Sequence, residues 1–465
     1  MKAKGGNSRV QKIKLFRIRR LAVLFMAGAL LFAFLPVRAS ALAEPEELSS
    51  KACILYNPEN DTVLYAKNAD SIIYPASTVK IMTGILAYEH YAGNLDTKIT
   101  VTKEALRGLS GNYMGLEAGE TLTARDLLYG MLLTGANDAA LVLAYDAGGS
   151  VAAFVTQMNA KAKELGAENT FYTNPTGLHD NSMVTTASDL SKIAAYAAQN
   201  KDFLEMTSAL QYTIPASGDR EERVIYNRNH LLTTRTYTKY YYSLAKGMSA
   251  GSTTQAGNCL VTTARKDGIT YICVVMGAPY DEENNYVYSY SDAKKLFQWA
   301  FENYSYRKIV DTTTMIYELP VTLSANADYV TLLPEKPVEL FLPNDADIAS
   351  EVTLQWRILS GSAEAPVGEG DIAGILLVRH NGVLVSTVNL VTKGGVSRST
   401  FLYILSVLEG IVTNGWFLLG VCILFVGTVW YIVTKAKRRG RRQAALAYRN
   451  RPRTSRSRGS IRRYK

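Results

Sequence analysis

Residues 410 to 434 carry no charged side chain, and Trp416 to Val433 is apolar throughout. At ~1.5 Å of rise per residue, a helix of this length crosses a hydrocarbon core of ~30 Å, so a transmembrane helix is expected over 414–434. Trp416, Trp430 and Tyr431 fall where interfacial aromatics belong, and residues 435–465 hold fourteen Lys/Arg without one Asp or Glu. By the positive-inside tendency this basic tail is cytoplasmic and the body of the chain lies outside. A nucleic-acid-binding tail is the competing reading of the arginines, but a basic run abutting a membrane span is more simply a topology and anionic-lipid signal.

The other end points the same way. Residues 1–20 contain eight Lys/Arg and no acid, residues 21–35 are apolar, and Ala41-Leu42-Ala43 supplies small residues for cleavage. A secretory signal peptide over 1–43 is expected.

The formal charge of +10 is therefore set by the two ends. Without the eight basic residues of the leader, Arg38 and the fourteen of the tail, 28 Lys/Arg face 41 Asp/Glu, a net charge of −13. An acidic exported body argues against nucleic acid as its partner. Cys422 sits in the expected span, which leaves Cys53, Cys259 and Cys273, an odd number in β-like apolar runs. Buried thiols are expected rather than a disulfide framework, and no metal-ligand spacing appears among the cysteines or the four histidines.

Candidate chemistry is concentrated at Pro75-Ala76-Ser77-Thr78-Val79-Lys80. Val79, Met82, Ile85 and Leu86 recur at helical spacing, which predicts a buried helix over 78–90 with Ser77 in its first turn. Residues three apart share a helix face, so a desolvated Lys80 amine could take the Ser77 hydroxyl proton while helix N–H groups meet a developing oxyanion. Ser291 to Lys294 and Ser305 to Lys308 repeat the spacing, but neither opens a long apolar helix.

The exported region is long enough for two domains. Hairpins at 52–67 and 260–276 bracket helical segments at 78–90, 125–145, 151–165 and 186–200, with a closing helix near 291–303. That order predicts an α+β domain over 44–305, an antiparallel sheet flanked by helices. Short alternating runs from 306 to 395, separated by Pro, Gly, Asn and Asp, predict a small all-β domain of β-sandwich type. Residues 396–413 are expected to form an amphipathic linker helix before the span.

The first domain resembles the penicillin-binding-protein type D-alanyl-D-alanine carboxypeptidases, serine peptidases that trim the stem peptide of bacterial peptidoglycan. The resemblance rests on Tyr74 to Thr83, Asn137-Asp138-Ala139-Ala140, Asn174-Pro175-Thr176-Gly177-Leu178, Thr186 to Leu190 and Asn227-Arg228-Asn229-His230-Leu231-Leu232. It implies a penicillin-binding/β-lactamase-like fold, a Ser77 nucleophile with Lys80, and no cofactor or metal. It also implies the peptidoglycan stem peptide as substrate, with β-lactams as acylating inhibitors. Of the family's three catalytic motifs only Ser-x-x-Lys is intact.

In place of Ser-x-Asn stands Gly135-Ala136-Asn137, which keeps the amide and lacks the hydroxyl. Thr134 lies one residue early, and the literal Ser110-Gly111-Asn112 reads as an ordinary loop. In place of Lys-Thr-Gly stands Ser249-Ala250-Gly251, followed by Ser252, whose N–H would complete an oxyanion hole with that of Ser77. Lys246 is three residues before Ser249 and of the wrong strand parity. Arg228, Arg235 and Lys239 are the cations that could compensate.

The resemblance implies a membrane-anchored D-Ala-D-Ala carboxypeptidase. A non-catalytic peptidoglycan-binding homologue, or a serine hydrolase acting on another amide or ester, would also carry these substitutions.

Overall fold

The computed structural model describes residues 44–449; the expected signal peptide and the last part of the basic tail lie outside the described residues. Two compact units divide the chain, one built on residues up to Tyr306 together with 341–346, the other on 307–340 and the residues from 347 onward.

In the first unit, β1 (Ala52–Asn57) and β2 (Thr62–Lys67) form the expected hairpin. The short strands β3 (Gln211–Ile214) and β4 (Arg223–Tyr226) form a separate ladder. Strands β5 (Ala245–Thr253), β6 (Gly257–Lys266) and β7 (Ile269–Ala278) complete a five-stranded antiparallel sheet in the order β2-β1-β7-β6-β5. The central pair, β1 and β7, reads as near-continuous apolar sequence because both faces of the sheet are covered. Ile54, Ile272 and Val274 face one core, while Cys53, Leu55, Cys273 and Val275 face the other, as the two-residue period of a strand requires.

The first core is closed by helices α1 (Lys80–Tyr91), α2 (Ala124–Thr134), α3 (Asn137–Gly148), α4 (Val151–Glu164), α5 (Ala187–Gln199) and α6 (Lys201–Ser208). The second is closed by α7 (Tyr288–Asn303), through Tyr290, Ala293, Leu296, Phe297 and Ala300. Cys53, Cys259 and Cys273 are free and buried, and burial pushes the Cys53 and Cys259 thiols up to about 11.

Three local expectations are corrected. The single helix expected over 125–145 is two helices, because Gly135 takes the left-handed conformation (φ +72°) that ends α2 and α3 starts afresh at Asn137. Ser77 does not lie in the first turn of an α-helix; it lies in a 3₁₀ turn, Ala76–Val79, that leads into α1. Helix α6, whose residues follow α5 after a single Asn200 cap, was not expected at all.

In the second unit, strands Tyr317–Thr322, Tyr329–Pro334, Val352–Ile358, Ala363–Glu364, Ile372–His380 and Val383–Thr392 join one six-stranded, curled sheet. Leu332, Leu376, Val378 and Leu390 form its buried core. The first of these strands starts at Tyr317. Helix Thr400–Thr413 then precedes helix Gly415–Arg449, of which Gly415–Ala445 is long and apolar enough to cross a membrane, the one such helix among the described residues.

Candidate active site

The 3₁₀ turn at Ala76–Val79 explains the geometry of the Ser77 and Lys80 pair. With three residues per turn, side chains at i and i+3 eclipse, so Lys80 stands directly against Ser77. Its Nζ lies 3.3 Å from Ser77 Oγ and donates to the Thr176 carbonyl at 2.5 Å. Lys80 is 2% exposed, and burial pulls its amine down to about 7. No carboxylate neutralises it among the described residues.

The loop that receives Lys80 is built for that position. Asn174 Oδ1 accepts from the N–H groups of Thr176 and Gly177 and from the Thr176 hydroxyl, and Thr83, one turn after Lys80, donates its hydroxyl to the Pro175 carbonyl. Gly177 has φ +80°, and a Cβ there would lie 2.0 Å from the Ala76 carbonyl oxygen, so only glycine lets the loop reach the Ser77 turn. Ala76 itself is held at φ +49°, a left-handed conformation that a residue with a Cβ adopts at a cost of ~1 to 2 kcal/mol.

Strand β5 closes the other side. At Gly251 a Cβ would fall 2.4 Å from Ser77 Cβ, which fixes this glycine as the point where the strand passes Ser77. Ser249 is 9% exposed and donates its hydroxyl to the Ser77 carbonyl at 3.0 Å, so its side chain straps the Ser77 turn to the sheet. Ser249, Ala250, Gly251 and Ser252 all line a cavity of about 340 Å³ that opens on Ser77. A bulge between Lys246 and Met248 interrupts the strict alternation used to place Lys246, yet Lys246 is exposed and is not in the cavity wall.

Asn137 is buried but does not line the cavity; its amide donates to the Ser110 carbonyl at 2.6 Å. Thr134 does line it, but its hydroxyl is spent on the Gly130 carbonyl one turn back, so it does not replace the missing serine. Ser110-Gly111-Asn112 lies in a loop, and neither Ser110 nor Gly111 lines the cavity. Asn112 forms part of the cavity wall, donating to the Thr134 carbonyl at 2.7 Å and accepting from Arg228 at 2.7 Å.

Asp138 sets that loop. Fully buried, its carboxylate accepts from the backbone N–H groups of Met114, Gly115, Leu116 and Ala139.

Of the three compensating cations, Arg228 alone lines the Ser77 cavity. Lys239 lies over the rings of Tyr237, Tyr240 and Tyr286, and Arg235 stacks 3.5 Å from the Tyr226 ring centre. His230 also lines the cavity; burial and the charge of Arg228 lower its pKa. The decoy lysines are engaged elsewhere, Lys294 with the Tyr241 carbonyl and Lys308 with Asp311.

The D-alanyl-D-alanine carboxypeptidase family profile matches residues 39–280 of this chain. The chain belongs to this family of serine peptidases. It is 27% identical to the D-alanyl-D-alanine carboxypeptidase DacF of Bacillus subtilis, over 83% of this chain and 96% of that one. A D-alanyl-D-alanine carboxypeptidase of a Streptomyces species is 32% identical over 61% of this chain and 99% of its own length. Among solved structures, penicillin binding protein 5 of Haemophilus influenzae superposes with a TM-score of 0.54 at 26% identity, covering 77% of this chain and all of that one. The fold, antiparallel sheet with helices followed by an all-β unit and an apolar C-terminal helix, is that of the low-molecular-mass penicillin-binding proteins.

Proposed function

We propose that this chain is a membrane-anchored serine-type D-Ala-D-Ala carboxypeptidase that works on peptidoglycan stem peptides through a Ser77 acyl-enzyme. The observation that carries the reading is the Lys80 amine, buried, brought near neutrality and 3.3 Å from Ser77 Oγ. As its neutral amine takes the hydroxyl proton, Oγ bonds to the D-alanyl carbonyl carbon. The oxygen then gains charge between the backbone N–H groups of Ser77 and Ser252. Collapse breaks the C–N bond, the proton held on Lys80 goes to the leaving amine, and water later cleaves the ester with Lys80 again as base. Penicillins would acylate the same oxygen by opening their lactam amide.

Relative to the family pattern, the second motif lacks its hydroxyl at Gly135, and the third offers Ser249 and Ala250 where a cation and hydroxyl would hold a carboxylate. Each positioned donor lost commonly costs ~10²- to 10³-fold in rate. Acylation by Ser77 is accordingly expected to be slow.

The same proposal covers the rest of the chain: removal of 1–43, a catalytic domain at 44–305, a β-domain at 306–395, a linker helix at 396–413, a span at 414–434 and a cytoplasmic tail at 435–465. The catalytic domain would then face the peptidoglycan outside the membrane. Intact-mass measurement after exposure to a penicillin tests the site. The expected adduct adds the whole drug mass and is lost in Ser77→Ala; its absence from the unmodified protein at high drug and long times favours a non-catalytic peptidoglycan-binding homologue.

A further inference from the structure

The second unit exposes large apolar side chains beside the point where the C-terminal helices leave it. A cavity of about 400 Å³ there is walled by Leu319, Ala363, Val367 and Ala373, and Leu359 and Ile372 line it as well. Leu319 and Val367 are buried, whereas Leu359 is 71% and Ile372 54% exposed, so these two stand where the cavity meets solvent. Both are held in place by backbone. The Leu359 N–H donates to the Ala373 carbonyl, and Ile372 pairs with Val391 on the neighbouring strand. Apolar side chains fixed together at a cavity mouth mark a surface that is covered in use.

The path of the chain says what covers it. Val321 pairs with Ala363, and the Ala365 N–H donates to the Thr322 carbonyl. The next residue, Leu323, accepts from the N–H of Ser399, the N-cap of helix Thr400–Thr413, and Val367 exchanges two backbone hydrogen bonds with Val396. Leu319 in the cavity wall is four residues from Leu323, at most ~13 Å along a strand, so the cavity lies beside the start of that apolar helix. A second exposed apolar group, Val383, Leu384 and Val385, stands at the other end of the same strand pair, eight residues or ~25 Å from Ile372. Only the first group adjoins the helix.

Charge decides how the mouth is held. Glu364 and Asp371 line the cavity, Glu369 is exposed between them, and no Lys or Arg lines it among the described residues. Anionic headgroups are disfavoured there, and attraction must come from apolar area.

We propose that Leu359 and Ile372 dock the all-β unit on the bilayer, with lipid acyl chains covering the cavity mouth at the interface that helix Thr400–Thr413 occupies. The inference rests on the anchoring of the chain by its C-terminal helices. Two side chains are too few to hold a protein on lipid unaided. Tethered by the helix through Ser399 and Leu323, their contact becomes intramolecular and is made at a high effective concentration. The unit then meets the membrane by one fixed face instead of pivoting about residues 396–399.

The test uses the full-length chain with Cys422→Ala, whose remaining thiols are buried, reconstituted in phosphatidylcholine vesicles doped with a lipid carrying an acyl-chain nitroxide. A single fluorophore is attached through Ser360→Cys at the mouth, Val383→Cys at the far end or Val426→Cys in the apolar helix. Nitroxide should quench the labels at 360 and 426 and spare the one at 383. Adding Leu359→Ser and Ile372→Ser, both at exposed positions, should abolish quenching at 360 and leave that at 426. A larger share of anionic lipid should not increase the quenching at 360. An unquenched label at 360 beside a quenched one at 426 overturns the docking and leaves the anchoring standing, whereas loss of quenching at both removes the anchoring and the docking with it. Equal quenching at 360 and 383 shows indiscriminate adhesion. A label at 360 shielded from aqueous iodide yet untouched by nitroxide shows a protein occupant, such as a second copy of this chain. Either of these last two results, or quenching at 360 that grows with anionic lipid, also overturns the inference.

Discussion

A lysine helps a neighbouring serine only while its amine is uncharged, and Lys80 achieves this by burial rather than by a second cation. Because desolvation brings the amine to about 7, acylation of Ser77 should rise with pH through an apparent pKa near 7 and level off above it. Penicillin acylation rates measured from pH 5 to 9 check this; a flat profile would remove Lys80 from the role of base.

The same burial costs stability, and the sign can be worked out. The folded-state pKa lies below the unfolded value of ~10.4, so between about 7 and ~10.4 the unfolded chain binds more protons and stability rises with pH. Below about 7 the penalty of burying the amine is fully present. Lys80→Met should therefore abolish acylation yet raise Tm at pH 6, with the advantage over the unmodified protein shrinking by pH 9. The unpaired Thr176 carbonyl reduces the gain without changing its trend. Thermal melts of both proteins at the two pH values decide it; a difference in Tm that stays constant with pH would show that Lys80 titrates alike in both states.

At the scale of elements, the junction between α2 and α3 organises the wall opposite β5. Gly135 ends one helix, Asn137 starts the next, and Asp138 gathers four backbone N–H groups, three of them from Met114, Gly115 and Leu116. Removing that carboxylate strands buried donors, each costing ~1 to 3 kcal/mol. Asp138→Ala should lower stability by ~2 to 4 kcal/mol and release the loop that carries Asn112. Calorimetry, with limited proteolysis mapping new cuts between 108 and 118, tests this. An unchanged cleavage pattern would mean that the loop is held by other contacts.

What the sequence disclosed at this scale follows from what is local. The β1–β2 hairpin, the apolar run of β7 and the periodicity of α1 depend on spacing within one segment, and each stands where its pattern put it. The break at Gly135 was hidden because the apolar pattern continues across it and only the left-handed φ interrupts the chain. The cavity wall was hidden for a different reason: Arg228 meets Asn112 across 116 positions, and Lys80 meets Thr176 across 96. No periodicity records such pairs. The Asn174 to Leu178 segment was visible as a resemblance, but its service to Lys80 needed the fold.

For the whole molecule, the proposed topology rests on the order of charge along the chain. Apolar helix residues 415–434 followed by basic residues from Lys435 onward favour the tail inside and the acidic body outside. External protease on intact cells should digest 44–410 and spare a tag on the tail; the reverse pattern would overturn the orientation.

Ahead of that helix, Thr400–Thr413 leaves Phe401, Ile404, Leu405, Leu408 and Ile411 exposed, with Glu409 its single charge. A surface of this kind is excluded from water and gains free energy in proportion to the apolar area it places at a bilayer interface, without needing anionic lipid. Two truncations separate its contribution from that of the span. A chain ending at Ser399 should stay in solution when mixed with neutral lipid vesicles, whereas one ending at Asn414 should float with them and resist a high-salt wash. The salt wash matters because an electrostatic attachment would be screened within ~3 Å at 1 M salt, while an apolar one would persist. Equal behaviour of the two truncations would show that the membrane is held by the span alone.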